Sequence, residues 1–160
     1  MKKMIASPLS ILPYRFRKWI YINSGMIIGK DSIIGKGFQV DFPERVYIGQ
    51  DSLINYNCSL YLGGVGEARI TIGDRVQIGY ETKIICASHE IGSHDKRAGE
   101  RFTKSVTIGD GCWIGANVTI LPGVTISDGC VIGAGAVVIR DCEPNCLYAG
   151  IPACKVKELF

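Results

Sequence analysis

The sequence has no apolar run long enough to span a bilayer, no strong excess of one charge and no second cysteine pair at metal-binding spacing. Each absence excludes a class. A membrane helix needs about 20 apolar residues. The amino-terminal stretch is broken by Pro8 and Pro13 and then carries Arg15, Arg17 and Lys18, so it makes a poor secretory h-region too. Eighteen Lys and Arg stand against 15 Asp and Glu, and a net charge of +3 is too mild for a nucleic-acid binder. Cys142 and Cys146 lie four apart with no partner pair or histidine close by, so no structural zinc is expected. The seven cysteines (Cys58, Cys86, Cys112, Cys130, Cys142, Cys146 and Cys154) are odd in number. With no leader ahead of them they point to free thiols in a reducing, cytoplasmic protein.

What is present is one domain, residues 1–160, with 47% hydrophobic residues and 20 glycines. That much glycine disfavours a mainly helical chain, and that much apolar side chain excludes general disorder. The informative feature is a repeat. Aliphatic residues followed by a small or polar one recur as Ile48-Gly49, Ile54-Asn55, Ile72-Gly73 and Ile78-Gly79. From Ile108 through Ile114, Ile120, Ile126 and Ile132 to Val138 the step is six each time. Ile28 and Ile34 stand two residues out of that phase, across Asp41–Tyr47.

A period of six suits short extended segments with a turn after each, not a helix of period 3.6. Three segments make a triangular coil of eighteen residues, and successive coils stack at about 4.8 Å. The opening aliphatic should point inward. So should the often small fifth residue: Val76, Thr82, Cys112, Val118, Val124, Cys130 and Ala136. The expectation is an all-β parallel β-helix over 22–141. A cap over 1–21 should hold a short helix at 8–20, a polar excursion should leave at 89–107, and a short basic tail should fill 142–160.

The sequence resembles the hexapeptide-repeat acyltransferases, within them the galactoside, maltose and xenobiotic acetyltransferase branch and its sugar O-acetyltransferase relatives. The matching stretches are Asn55-Tyr56-Asn57, Ser88-His89-Glu90, Val106 to Ala116 (VTIGDGCWIGA), Ile120 to Val124, Ile132 to Val138 and Ala149 to Lys157. The resemblance implies that the β-helix is left-handed, against the usual hand of parallel crossovers. It also implies transfer of an acetyl group from acetyl-CoA to a hydroxyl, directly and without an acyl-enzyme. The acceptor it favours is a sugar hydroxyl, as in cell-surface polysaccharide synthesis. Serine or xenobiotic O-acetylation and nucleotide-sugar N-acylation are the alternatives.

On that resemblance His89 is the general base, an imidazole being suited to proton transfer near neutral pH. His94, deeper in the loop, is the lesser candidate. Asn55 would line the acceptor pocket or simply bond backbone at its corner. Asp41 could touch the acceptor, and Glu90 would orient His89, bind substrate or sit in solvent. The pantetheine arm would lie on backbone groups at Ala116 and Ala134, with Ile139 and Arg140 in contact. Trp113 would pack beside it, wall the acceptor pocket or fill core. Cys154, Lys155 and Lys157 would face the nucleotide end, or form a solvated tail. Hexad phase puts the His89 loop and the Ala116–Ala134 groove on different faces, which implies a homotrimer with sites between subunits. Two histidines are too few for the three-histidine zinc site of carbonic anhydrases that share this fold, so no metal is expected. Scattered threonines do not make an ice-binding array.

Overall fold

The computed structural model describes residues 12–160. Eleven residues of the expected cap, 1–11, lie outside the described residues, including the start of the helix placed at 8–20. The helix begins at Tyr14 and runs to Asn23. Pro13 sets its start, since proline's fixed φ suits a helix entrance and its carbonyl accepts the Phe16 and Arg17 N–H groups. Gly25, at φ +99°, turns the chain away after the last helical turn. The helix lays Arg17 and Tyr21 on the first coil, and the Tyr21 ring meets Phe38 edge-on at 5.3 Å.

The rest is three parallel sheets wound as a prism. The first contains Ile27–Ile28, Val46–Ile48, Ile70–Ile72, Val106–Ile108 and Thr125–Ile126. The second contains Ile33–Ile34, Leu53–Ile54, Gln77–Ile78, Trp113–Ile114, Val131–Ile132 and Cys146–Ala149, in that stacking order. The third contains Gln39–Val40, Ser59–Tyr61, Lys83–Ile85, Thr119–Ile120 and Val137–Val138. Ile48, Ile54, Ile72, Ile78, Ile84, Ile108, Ile114, Ile120, Ile126, Ile132 and Val138 are buried. All seven fifth-place residues are buried as well, so the interior from 76 to 136 is a double ladder of aliphatic and small side chains.

The corners between sheets are not alike. From first sheet to second the step is six residues in every coil, as in 48 to 54, 72 to 78 and 108 to 114. From second to third it is again six throughout, as in 54 to 60, 78 to 84 and 114 to 120. Every irregularity falls at the third corner. There residues 41–45 add a short 3-10 turn, 62–69 add a glycine-rich loop, and 86–105 add a hairpin of Ala87–Ile91 against Ala98–Thr103.

Two segments are more ordered than expected. The excursion is an antiparallel hairpin. The segment 142–160 is not a plain tail, because Cys146–Ala149 adds a parallel rung to the second sheet and Cys154–Glu158 folds back on it antiparallel. Its register was hidden because Ile132 pairs with Tyr148, sixteen residues on rather than eighteen.

Candidate active-site groove

Along the second corner runs a groove of about 530 Å³. Its rim includes Asn55, Tyr80, Trp113, Ala116, Ala134 and Leu147. It crosses the rungs at 54, 78, 114, 132 and 148, four steps of about 4.8 Å or roughly 19 Å. Trp113 precedes the buried Ile114, so strand alternation turns its indole outward, 60% exposed. It is a wall of the groove and not a core residue.

Comparing two corners shows what the groove offers. At the first corner the third residue of each turn donates its N–H to an aspartate of the next coil. Gln50 N–H bonds Asp74 Oδ1, Asp74 N–H bonds Asp110 Oδ1, and Asp110 N–H bonds Asp128 Oδ1, each at 2.9 Å. The second corner has the same turn, with left-handed φ at Asn57, Glu81, Asn117 and Gly135. The same backbone bonds recur there, Asn117 N–H to Tyr80 O and Gly135 N–H to Ala116 O. Yet the third-place residues of these turns are Tyr56, Tyr80, Ala116 and Ala134, none with a carboxylate to accept the N–H one rung earlier. Their N–H groups donate to no other described residue. The groove is therefore lined by a row of open backbone donors. Gly79 and Gly115 keep the rungs this close: a Cβ on either would sit 2.5 Å from the N of Ala116 or Ala134.

Asn55 does bond backbone, its Nδ2 donating to Ile78 O at 3.0 Å. That bond fixes the carboxamide and leaves Oδ1 without a partner among the described residues.

His89 stands on the hairpin at the third corner, exposed and opposite Arg101 in the strand register. The hairpin base is held where Cys86 N–H bonds Tyr61 O and Lys104 N–H bonds Cys86 O. The 62–69 loop lies against it, with Thr103 Oγ1 donating to Val65 O at 2.7 Å. Asp41 is committed to that loop, accepting the Leu62 and Gly63 N–H groups at 2.8 and 3.0 Å. Glu90 is exposed beside His89. His94 is at the hairpin tip, 2.8 Å from Asp95.

The structure thus brings Asn55, Trp113, Ala116 and Ala134 together and keeps His89, Glu90 and Asp41 at another corner. Ile139 and Arg140 follow Val138 of the third sheet, so they lie at the His89 corner and not beside Ala134. The hexad phase itself places them one corner on. Cys154, Lys155 and Lys157 are on the last strand at the edge of the second sheet, with Lys157 opposite Leu147 of the groove. Lys155 is engaged, 2.8 Å from Glu143 and 3.0 Å from Glu158. Hydrogen bonding to Glu143, then to Glu158, raises its pKa, and the same ammonium lowers that of Glu143. That leaves Lys157 and Arg140 as cations without a carboxylate partner among the described residues. Tyr80 and Leu147 were missed. Tyr80 occupies the same hexad place as Ala116 and was legible from phase.

Residues 105–140 match the family described as bacterial transferase hexapeptide (six repeats). The galactoside O-acetyltransferase of Escherichia coli K12 is 32% identical over 82% of this chain and 63% of its own. A maltose O-acetyltransferase from Clostridium difficile 630 superposes with a TM-score of 0.82 at 32% identity, covering 92% of this chain and 76% of that one. A hexapeptide-repeat acetyltransferase from Vibrio cholerae, solved with acetyl coenzyme A, has a TM-score of 0.82 at 34% identity, over 91% and 78%. The chain spans 56% to 63% of the length of the first curated relatives it matches.

Proposed function

Because the chain belongs to the hexapeptide-repeat acetyltransferases, with their left-handed parallel β-helix, we propose that it moves an acetyl group from acetyl-CoA to a sugar hydroxyl. The observation that carries this reading is the row of open N–H groups at Tyr80, Ala116 and Ala134 beside the outward Trp113. Acetyl-CoA supplies an activated thioester on a long arm rich in amide carbonyls. The groove fits such an arm: a narrow apolar wall, backbone donors spaced at one rung, and glycines that keep side chains out. Lys157, at the far end, suits the phosphates.

His89 accepts the proton of the attacking hydroxyl as the new C–O bond forms and the C–S bond breaks, then returns it to the sulfur. A base of this kind contributes about 100- to 10,000-fold. Asn55 Oδ1 holds the acceptor hydroxyl at the groove's end. Groove and base lie at different corners of one chain, and a homotrimer places one subunit's His89 hairpin over its neighbour's groove. Ile139 and Arg140, at the His89 corner, would then reach the arm from the neighbouring side. A sugar acceptor follows the galactoside and maltose relatives. Cytoplasmic modification of a cell-surface polysaccharide precursor is the setting this reading favours; among the described residues no helix is long and apolar enough to cross a membrane.

The test mixes two inactive variants, His89→Ala and the groove-blocking Ala134→Trp, by unfolding and reassembly at equal ratio. Random trimers put an intact hairpin beside an intact groove at about one site in four. About a quarter of wild-type turnover should return. No regain from well-formed mixed trimers, or near-normal turnover of His89→Ala alone, overturns the shared-site mechanism.

A further inference from the structure

A cavity of about 380 Å³ lies between the amino-terminal helix and the first two coils, with Tyr14, Arg17, Ile33, Gly35, Lys36 and Tyr56 on its walls. Arg17 is 5% exposed. Its Nη1 and Nη2 donate to Leu12 O and Ile34 O at 2.9 and 3.4 Å, and its Nε has no partner among the described residues. Nor does any described carboxylate pair with it. Asp31, on the same coil, faces Lys30 at 3.9 Å. Residues 1–11 cannot supply the missing charge, because they contain Lys2 and Lys3 and no Asp or Glu. Lys36, exposed at the cavity mouth, adds a second cation with no ion-pair partner among the described residues.

Desolvating a cation without a counter-charge is costly, and a guanidinium matches the oxygens of a carboxylate or phosphoryl group. The cavity and the groove are separate but neighbours, with one aromatic pair between them. Tyr56 packs edge-on against Tyr80, centroids 5.8 Å apart and planes at 78°, and Tyr80 lines the groove beside Asn55. Tyr56 borders the cavity that Arg17 lines, and Tyr80 borders the groove that Asn55 lines, so the tyrosine pair is the boundary between the two.

We propose that this cavity binds an anionic group of the acceptor, so that the sugar acetylated carries a carboxylate or phosphoryl group. Arg17 and Lys36 hold that group, while Tyr56 and Tyr80 pack against the apolar face of the ring. This rests on the acetyltransferase reading above.

The experiment measures binding of D-glucuronate, glucose 1-phosphate and neutral D-glucose by calorimetry to the native assembly, alongside acetyl-CoA. At least one anionic sugar should bind about tenfold or more tightly than glucose, as charged hydrogen bonds require. Which one binds distinguishes carboxylate from phosphoryl. Lys36→Glu, at an exposed site where folding is safe, should abolish that preference and leave acetyl-CoA affinity unchanged. Arg17→Gln should do the same if circular dichroism shows it folded. Equal or absent binding of all three sugars overturns the proposal, as does a preference that survives Lys36→Glu. Parallel loss of acetyl-CoA binding in Lys36→Glu overturns it too, since the cavity would then serve the donor. An intact anion preference without any acetyl-CoA binding would overturn the acetyltransferase reading alone.

Discussion

If the open N–H groups of the second corner hold the donor, closing them should remove binding while sparing the fold. The first corner supplies the means. There an aspartate in the third place accepts the N–H one rung earlier, at 2.9 Å in each of three coils. A glycine one residue ahead of that N–H makes room. A Cβ on Gly49 or Gly73 would meet the aspartate Oδ1 at 2.2 or 2.3 Å. Gly79 and Gly115 stand in the same place at the second corner. Ala116→Asp should therefore take the Tyr80 N–H, and Ala134→Asp the Ala116 N–H. Each closed donor forfeits one hydrogen bond, worth about 0.5–1.5 kcal/mol. The double variant should bind acetyl-CoA about 5- to 150-fold more weakly by calorimetry. Its melting temperature should stay within a few degrees of wild type. Ala134→Asn separates closure from charge: it offers the same oxygen with no negative charge, so it should weaken binding about as much as Ala134→Asp. Unchanged affinity in a folded double variant would refute the role given to these N–H groups. A collapse of stability would refute the equivalence of the two corners.

Other consequences concern the prism. Six of the seven thiols are buried and only Cys154 is exposed. Native protein should therefore react rapidly with a thiol reagent at one cysteine per chain, and rapid labelling of Cys112 and Cys130 would contradict the hexad phase. Desolvation raises the Cys58, Cys86 and Cys112 thiols from the ordinary 9.0 to about 11, and Cys142 to about 12. Raised acids favour the fold below the unfolded pKa, so melting temperature should hold to about pH 9 and fall as pH climbs towards 11–12; a flat profile there would refute the burial. Gly115→Ala forces a Cβ to within 2.5 Å of Ala134 N and 2.8 Å of its Cα. It should cost about 1–3 kcal/mol and lower the melting temperature by roughly 2–4 °C for each kcal/mol.

Much of this was legible in the residues. Phase modulo six predicted which side chains point inward, and every aliphatic and small residue assigned to the interior from 48 to 138 is buried. Phase modulo eighteen was less visible. The 62–69 loop lengthens the coil from Ile48 to Ile72 to 24 residues, a multiple of six, so the repeat runs on undisturbed. Its trace is the absence of an aliphatic residue at Gly66, amid Gly63 and Gly64. The final rung failed the opposite way, because Asp141–Pro144 shortens the turn by two residues and the count ends early. Ile139 and Arg140 were assigned to the groove by likeness to relatives, where the period alone would have sent them to the third corner. The Lys155 ion pairs depend on the antiparallel return of Cys154–Glu158, which has no hexad signal.

The confinement of every insertion to one corner has a functional logic. A groove crossing five rungs stays continuous only if no coil bulges into it, and the second corner keeps six residues per turn in every coil. The first corner is equally regular but spends its free N–H groups on the Asp74, Asp110 and Asp128 ladder, which closes it. Chain that must project, carrying His89 away from the prism, is left to the third corner. There the hairpin strands pair with each other, and the glycine-rich loop bonds to Asp41 and Thr103. Irregular backbone is thus satisfied without disturbing the stack. A rigid, uniform corner suits a long extended ligand, and a projecting hairpin suits the reach that the proposed mechanism asks of His89. The two demands exclude each other at one corner, and that is the physical argument for the two-subunit site proposed above.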